Sequence, residues 1–150
     1  MSLKATLNTD LKTAMKAKDQ AALRAIRALK AVILLAETAE GRDGEALSEP
    51  EELKILSKQA KQRKDSAEQF RQNGRDDLAE TEEEELAIIE RYLPKAMDPE
   101  TLKSELVAMV KELGATSMKD MGRVMGQASQ KFAGKADGSA ISAIVKQLLS

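Results

Sequence analysis

Apolar residues recur at steps of three and four along nearly the whole chain, the spacing of one helix face. Leu3, Leu7, Leu11, Ala14 and Met15 predict an amphipathic helix over residues 3–17. Asp19 is placed to cap a second helix, where Leu23, Ile26, Leu29, Ile33 and Ala36 form a stripe. Ala22, Val32 and Leu34 widen it, so this helix is expected at the centre of a bundle, contacted on more than one side. Arg24, Arg27 and Lys30 run along its other side. After a turn-rich loop, Gly41-Arg42-Asp43-Gly44-Glu45, the run Ser48-Glu49-Pro50-Glu51 reads as a capping box with proline in the first turn. The helix it opens carries Leu53, Leu56, Ala60, Ala67 and Phe70 inward and runs to about Asn73, with Gly74 suited to a left-handed cap. Arg63 interrupts that stripe and is expected to reach a carboxylate or the surface. Asp76 and Asp77 open a fourth helix with Leu78, Leu86, Ile89 and Leu93 inward and Ile88 and Tyr92 beside them. Lys54, Lys58, Lys61 and Lys64 on the third helix face an acidic fourth, which predicts an antiparallel, charge-complementary hairpin.

The pattern then breaks. Pro94 disfavours helix at the residue before it, and Asp98-Pro99 supplies an N-cap and a first-turn proline for a new helix. Residues 92–99 are therefore expected to be a hinge between an N-terminal bundle (1–93) and a C-terminal three-helix domain (98–150). In the latter, Leu102, Leu106, Met109, Val110 and Leu113 mark one helix closed by Gly114. Met118, Met121, Met125, Ala128 and Phe132 mark the next, ended by Gly134. Ile141, Ile144, Val145, Leu148 and Leu149 mark the last, begun at Asp137. The fold class is all-α: a four-helix region followed by a three-helix bundle.

Composition changes this picture mainly by exclusion. The 150 residues contain no Cys and no His. Thiolate nucleophiles, Cys-based zinc sites and His-dependent triads are excluded. With an aromatic fraction of 2% and seven Met, aliphatic residues must fill the core. No apolar run approaches the ~20 residues of a membrane span, and the N-terminus has no apolar leader, so a cytoplasmic location is expected. The net charge of −1 is unevenly spread: residues 95–150 hold eight Lys/Arg against six Asp/Glu. No cofactor, metal, membrane or DNA partner is expected.

The sharpest candidate lies on the sixth helix. Gly122 and Gly126 sit inside it, each costing roughly 1 kcal/mol against alanine. At 100° per residue the Met/Phe stripe centres on Met125 and Phe132, while Lys119, Arg123, Gly126 and Gln130 fall together on the polar side with Gly122 at its border. Bare backbone beside cations and an amide suits a phosphodiester backbone; plain helix packing at the glycines is the competing explanation. Lys131 and Lys135 extend the basic set. Gly134-Lys135-Ala136-Asp137-Gly138 lacks phosphate-loop spacing and is expected to be a helix–helix turn. Glu82-Glu83-Glu84-Glu85 points around its helix and is expected to be solvated, not a metal site. Met109, Met118, Met121 and Met125 have the spacing of core filling.

Several ordered segments carry a resemblance: Lys61-Gln62-Arg63-Lys64-Asp65-Ser66, Gly74-Arg75-Asp76-Asp77-Leu78, Glu90-Arg91-Tyr92-Leu93-Pro94, and Gly114-Ala115-Thr116-Ser117-Met118-Lys119-Asp120-Met121-Gly122 with Gly134-Lys135-Ala136-Asp137-Gly138. Together they resemble the YqeY family. The resemblance implies a C-terminal domain similar to the tail domain of the B subunit of tRNA-dependent aspartyl/glutamyl amidotransferase, which holds the tRNA body. It implies a tRNA or structured-RNA partner, possession of a larger enzyme partner in tRNA metabolism, and, by family name, amidotransferase activity (carbon–nitrogen ligation with glutamine as amide donor). No residues for that reaction stand out. The readings are a non-catalytic RNA-binding accessory protein, a protein–protein adaptor, or an amidotransferase-associated subunit.

Overall fold

A computed structural model describes residues 2–150. The described residues form seven α-helices and no strand: α1 (Leu3–Ala17), α2 (Gln20–Glu37), α3 (Glu49–Gln72), α4 (Asp76–Glu90), α5 (Pro99–Leu113), α6 (Met121–Lys131) and α7 (Gly138–Leu149), with a 3-10 turn at Met118–Asp120 before α6. The chain divides into two compact units, one ending at Leu93 and the other running from Pro94 to Ser150.

Helix starts follow local chemistry. The Asp19 carboxylate accepts the Ala22 N–H at 3.1 Å, and that of Asp98 accepts the Thr101 N–H at 3.2 Å. Each satisfies a first-turn donor that the helix itself leaves open. At α3 the capping box is reciprocal: Ser48 Oγ accepts the Glu51 N–H at 3.4 Å, and Glu51 Oε2 accepts the Ser48 N–H at 2.8 Å. Gly74, after α3, takes φ +73°, where a side chain would be strained.

In the first unit α3 packs along α4, and α2 packs on both α1 and α4. The core comprises Leu7, Leu23, Ile26, Leu29, Ile33, Leu56, Ile88 and Ile89, with smaller alanines between them. Below α4 the Tyr92 hydroxyl donates to the Asp10 carboxylate of α1, and burial, followed by that bond, pushes the phenol up. α2 is central, but Leu34 does not widen its buried stripe: it is 56% exposed and Leu35 71%.

The charge-complementary hairpin exists with different partners. Arg63 Nε lies 2.9 Å from Glu85 and 3.7 Å from Glu82, Arg71 forks onto Glu83, and Arg24 of α2 reaches Glu84 and Glu85. Lys54, Lys58, Lys61 and Lys64 are exposed and form no ion pair among the described residues. Planar guanidinium groups match carboxylates two at a time, whereas a lysine ammonium stays better hydrated. The acidic run on α4 is thus occupied by three arginines.

Arg42 Nη1 and Nη2 meet the two Glu51 oxygens at 2.7 and 3.2 Å. The Arg42 guanidinium first, and then the Ser48 N–H, hold the Glu51 carboxyl at about 2 against an ordinary 4.5. Because the folded value is depressed, this contribution is complete above the unfolded value and is lost as pH falls through the folded one. Stability of the first unit should therefore decline as pH drops from about 4.5 towards 2, and Glu51→Gln should flatten that stretch of the pH–stability curve measured by urea titration.

The second unit buries Leu102, Leu106, Met109, Val124, Ala128, Phe132, Ile141, Val145 and Leu149, with Ala115 at its edge. The inward face of α6 is turned from the expected one: Val124 and Ala128 are its centre, and Met121 and Met125 flank it. Met118 is 47% exposed, because the 3-10 turn breaks the α-helical register assumed for it.

Candidate functional site

α6 begins from a built corner. The Asp120 carboxylate accepts the N–H groups of Thr116 and Ser117 at 2.9 and 3.3 Å, fastening the turn that carries Lys119. Those two bonds, Thr116 first, hold its carboxyl below the ordinary range. Its other oxygen meets Arg123 Nη2 at 3.2 Å. Asp120 thus positions Arg123 and offsets part of its charge. The link of Asp120 to Arg123, three residues along the chain, is legible in the sequence as an i,i+3 pair.

With Val124 and Ala128 inward, Gly122, Arg123, Gly126 and Gln130 occupy the outer arc of α6, all exposed, and Gln127 joins them. A Cβ built on Gly122 or Gly126 would meet nothing within 4 Å. Neither glycine is required for packing by another element of the unit. Lys119 is exposed on the 3-10 turn ahead of this arc. Lys131 is exposed but sits at the border of the inward face, its Nζ 5.6 Å from the Phe132 ring centroid, a cation–π distance. Lys135 lies beyond the helix in the α6–α7 loop, where its carbonyl accepts the Met97 N–H at 2.8 Å and fixes the loop backbone. The proposed set is therefore a core of Gly122, Arg123, Gly126 and Gln130, with Lys119 at one end and Lys131 and Lys135 at the other. Lys119, Lys131 and Lys135 form no ion pair among the described residues.

Chemically, this is an open, shallow, cationic helix face with accessible backbone. It has no nucleophile–base pair, and among the described residues no group of three or more acidic side chains is arranged to hold a metal ion. Such a face recognises shape and charge.

The family model described as Yqey-like protein matches residues 4–149. The chain is similar to curated proteins named "Altered inheritance of mitochondria protein 41, mitochondrial". The relative from Clavispora lusitaniae is 42% identical over 117 residues, covering 76% of this chain and 66% of that protein. The relative from Meyerozyma guilliermondii is 45% identical over 92 residues, 59% of this chain and 47% of that protein. The relative from Pyrenophora tritici-repentis is 30% identical over 148 residues, 95% of this chain and 78% of that protein. Against the first two, the chain thus spans only 66% and 47% of their length. Their names, which place those proteins in mitochondria, overturn the expected cytoplasmic location.

Proposed function

Since the chain belongs to the YqeY family, with nearly its whole length inside the family model, we propose that it is a non-catalytic accessory protein that holds structured RNA, tRNA foremost, by its phosphodiester backbone. The contact surface is the outer arc of α6 with Lys119, Lys131 and Lys135 at its ends. The observation that carries this reading is the pair of open glycines. Gly126 inside α6 costs the helix roughly 1 kcal/mol, Gly122 lies in its first turn, and no neighbour within the unit needs their lack of a side chain. Close approach by an external backbone is a use for them. The cations supply attraction, and the resemblance of this unit to a tRNA-holding tail domain supplies the class of RNA. A role beside an amidotransferase fits as partner to the chemistry, since a chain without Cys or His lacks the usual means to hydrolyse glutamine.

Backbone binding of this kind weakens steeply with salt. Titrating labelled tRNA with the protein at low and moderate salt should give a negative slope of log affinity against log salt. Lys119→Glu with Arg123→Glu should lower affinity about tenfold or more at low salt and flatten the slope by roughly two. Binding by the double variant equal to wild type would remove this surface from the reading.

A further inference from the structure

Beyond Arg24, α2 has a face that none of the other described helices of the first unit covers. Helical spacing places Arg24, Arg27, Ala31, Leu34, Leu35 and Thr38 in one arc opposite the buried Ile26, Leu29 and Ile33. All six are exposed, including the two leucines on the last turns, and α4 meets this arc at Arg24. Adjacent large apolar side chains left this open mark interaction sites more often than scattered single ones do.

The charges around the leucines identify the occupant. Arg27 lies two turns before Leu34, and Lys30 lies one turn before it on the flank. Neither forms an ion pair among the described residues. The sole acid of α2, Glu37, is buried and held by Lys4 at 3.0 Å. The patch is therefore apolar at its centre and cationic along one side, with no acid of its own helix beside it. The molecule also shows how such a face is satisfied. At the start of the same arc Arg24 is taken by Glu84 and Glu85 of α4, at 3.1 and 3.4 Å, an acidic helix laid against α2. Beyond that point the arc continues without a covering helix.

We propose that the arc from Arg27 to Leu35 is a docking surface for an acidic amphipathic helix of another protein. Its apolar face would seat on Ala31, Leu34 and Leu35, and its carboxylates would reach Arg27 and Lys30. Phosphate chemistry does not explain the leucines, so this surface is separate from the α6 face and does not rest on the RNA reading.

The test uses the full chain and two synthetic helical peptides with leucines at i, i+3, i+4 and i+7, one flanked by glutamates and one by lysines. Binding is read by fluorescence anisotropy. Wild type should bind the glutamate-flanked peptide at least ~tenfold more tightly than the lysine-flanked one. Leu34→Ser with Leu35→Ser should weaken that binding about tenfold or more while leaving the circular dichroism spectrum unchanged, since both side chains already face solvent. Arg27→Glu with Lys30→Glu should reverse the peptide preference. The proposal is overturned if neither peptide binds wild type, or if the leucine or charge-reversal variants bind as wild type does. It is likewise overturned if sedimentation shows a dimer that the leucine variant abolishes, or if vesicles of anionic phospholipid bind wild type and compete the peptide away.

Discussion

Replacing Phe132 with alanine is expected to destabilise the second unit strongly and leave the first unchanged. Phe132 is 1% exposed and packs in the cluster that includes Leu102, Leu106, Val124, Ile141 and Val145. Truncating a buried Phe removes its transfer free energy and leaves a cavity, a cost of about 3–5 kcal/mol. A unit spanning residues 94–150 has a total stability of only ~3–9 kcal/mol at ordinary values per residue, so the loss runs from about a third of it to all of it. The buried cluster of the first unit is made of different residues, from Leu7 to Ile89, and loses no contact. Tyr92, the single tyrosine, packs against that first cluster, so its fluorescence reports the first unit alone. In urea, the variant should lose part of its far-ultraviolet helix signal at low denaturant, with the tyrosine transition staying at the wild-type midpoint. One shared transition, shifted for both probes, would show that the two cores are not independently cooperative.

The second large effect joins stability to function with opposite signs. Gly122→Ala with Gly126→Ala should stabilise the second unit by about 1–2 kcal/mol, because alanine removes the entropic cost of glycine, in full at Gly126 inside α6 and in part at Gly122 in its first turn. Both positions have room for the added methyl groups, and neither has a positive φ. For a unit of this size that gain corresponds to a rise in melting temperature of roughly 4–16 °C. The same variant should bind tRNA several-fold more weakly, since methyl groups would stand between the helix backbone and the phosphates. A glycine pair kept only for packing would give the reverse pattern, lower stability and unchanged binding. Thermal melts and the salt-dependent titration on one sample decide between them. A variant both stabler and equally able to bind RNA would leave the two glycines without a role in recognition.

Several parts of the molecule were legible in the order of residues because their causes are local. Asp19, Ser48 and Asp98 each accept from an N–H three positions along the chain, so the cap and its helix are neighbours in sequence. The 3.6-residue period likewise marked Leu23, Ile26, Leu29 and Ile33 as an inward face, and they are buried. The all-α class and the left-handed residue at Gly74 follow from the same short-range chemistry.

Other features required the folded chain, because they depend on which distant surfaces meet. Counting charges paired the α3 lysines with the acids of α4, but packing brought Arg24, Arg63 and Arg71 to those acids and left the lysines in water. Apolar character placed Leu34 inside, yet no helix reaches that side of α2. The 3-10 turn at Met118–Asp120 took Met118 out of the α-helical register, and packing made Val124, not Met125, the middle of the α6 contact, which sets the residues that stand outward beside Gly126. Periodicity tells which residues share a face; only long-range packing tells whether another element lies against it, and that difference separates a buried glycine from an open one.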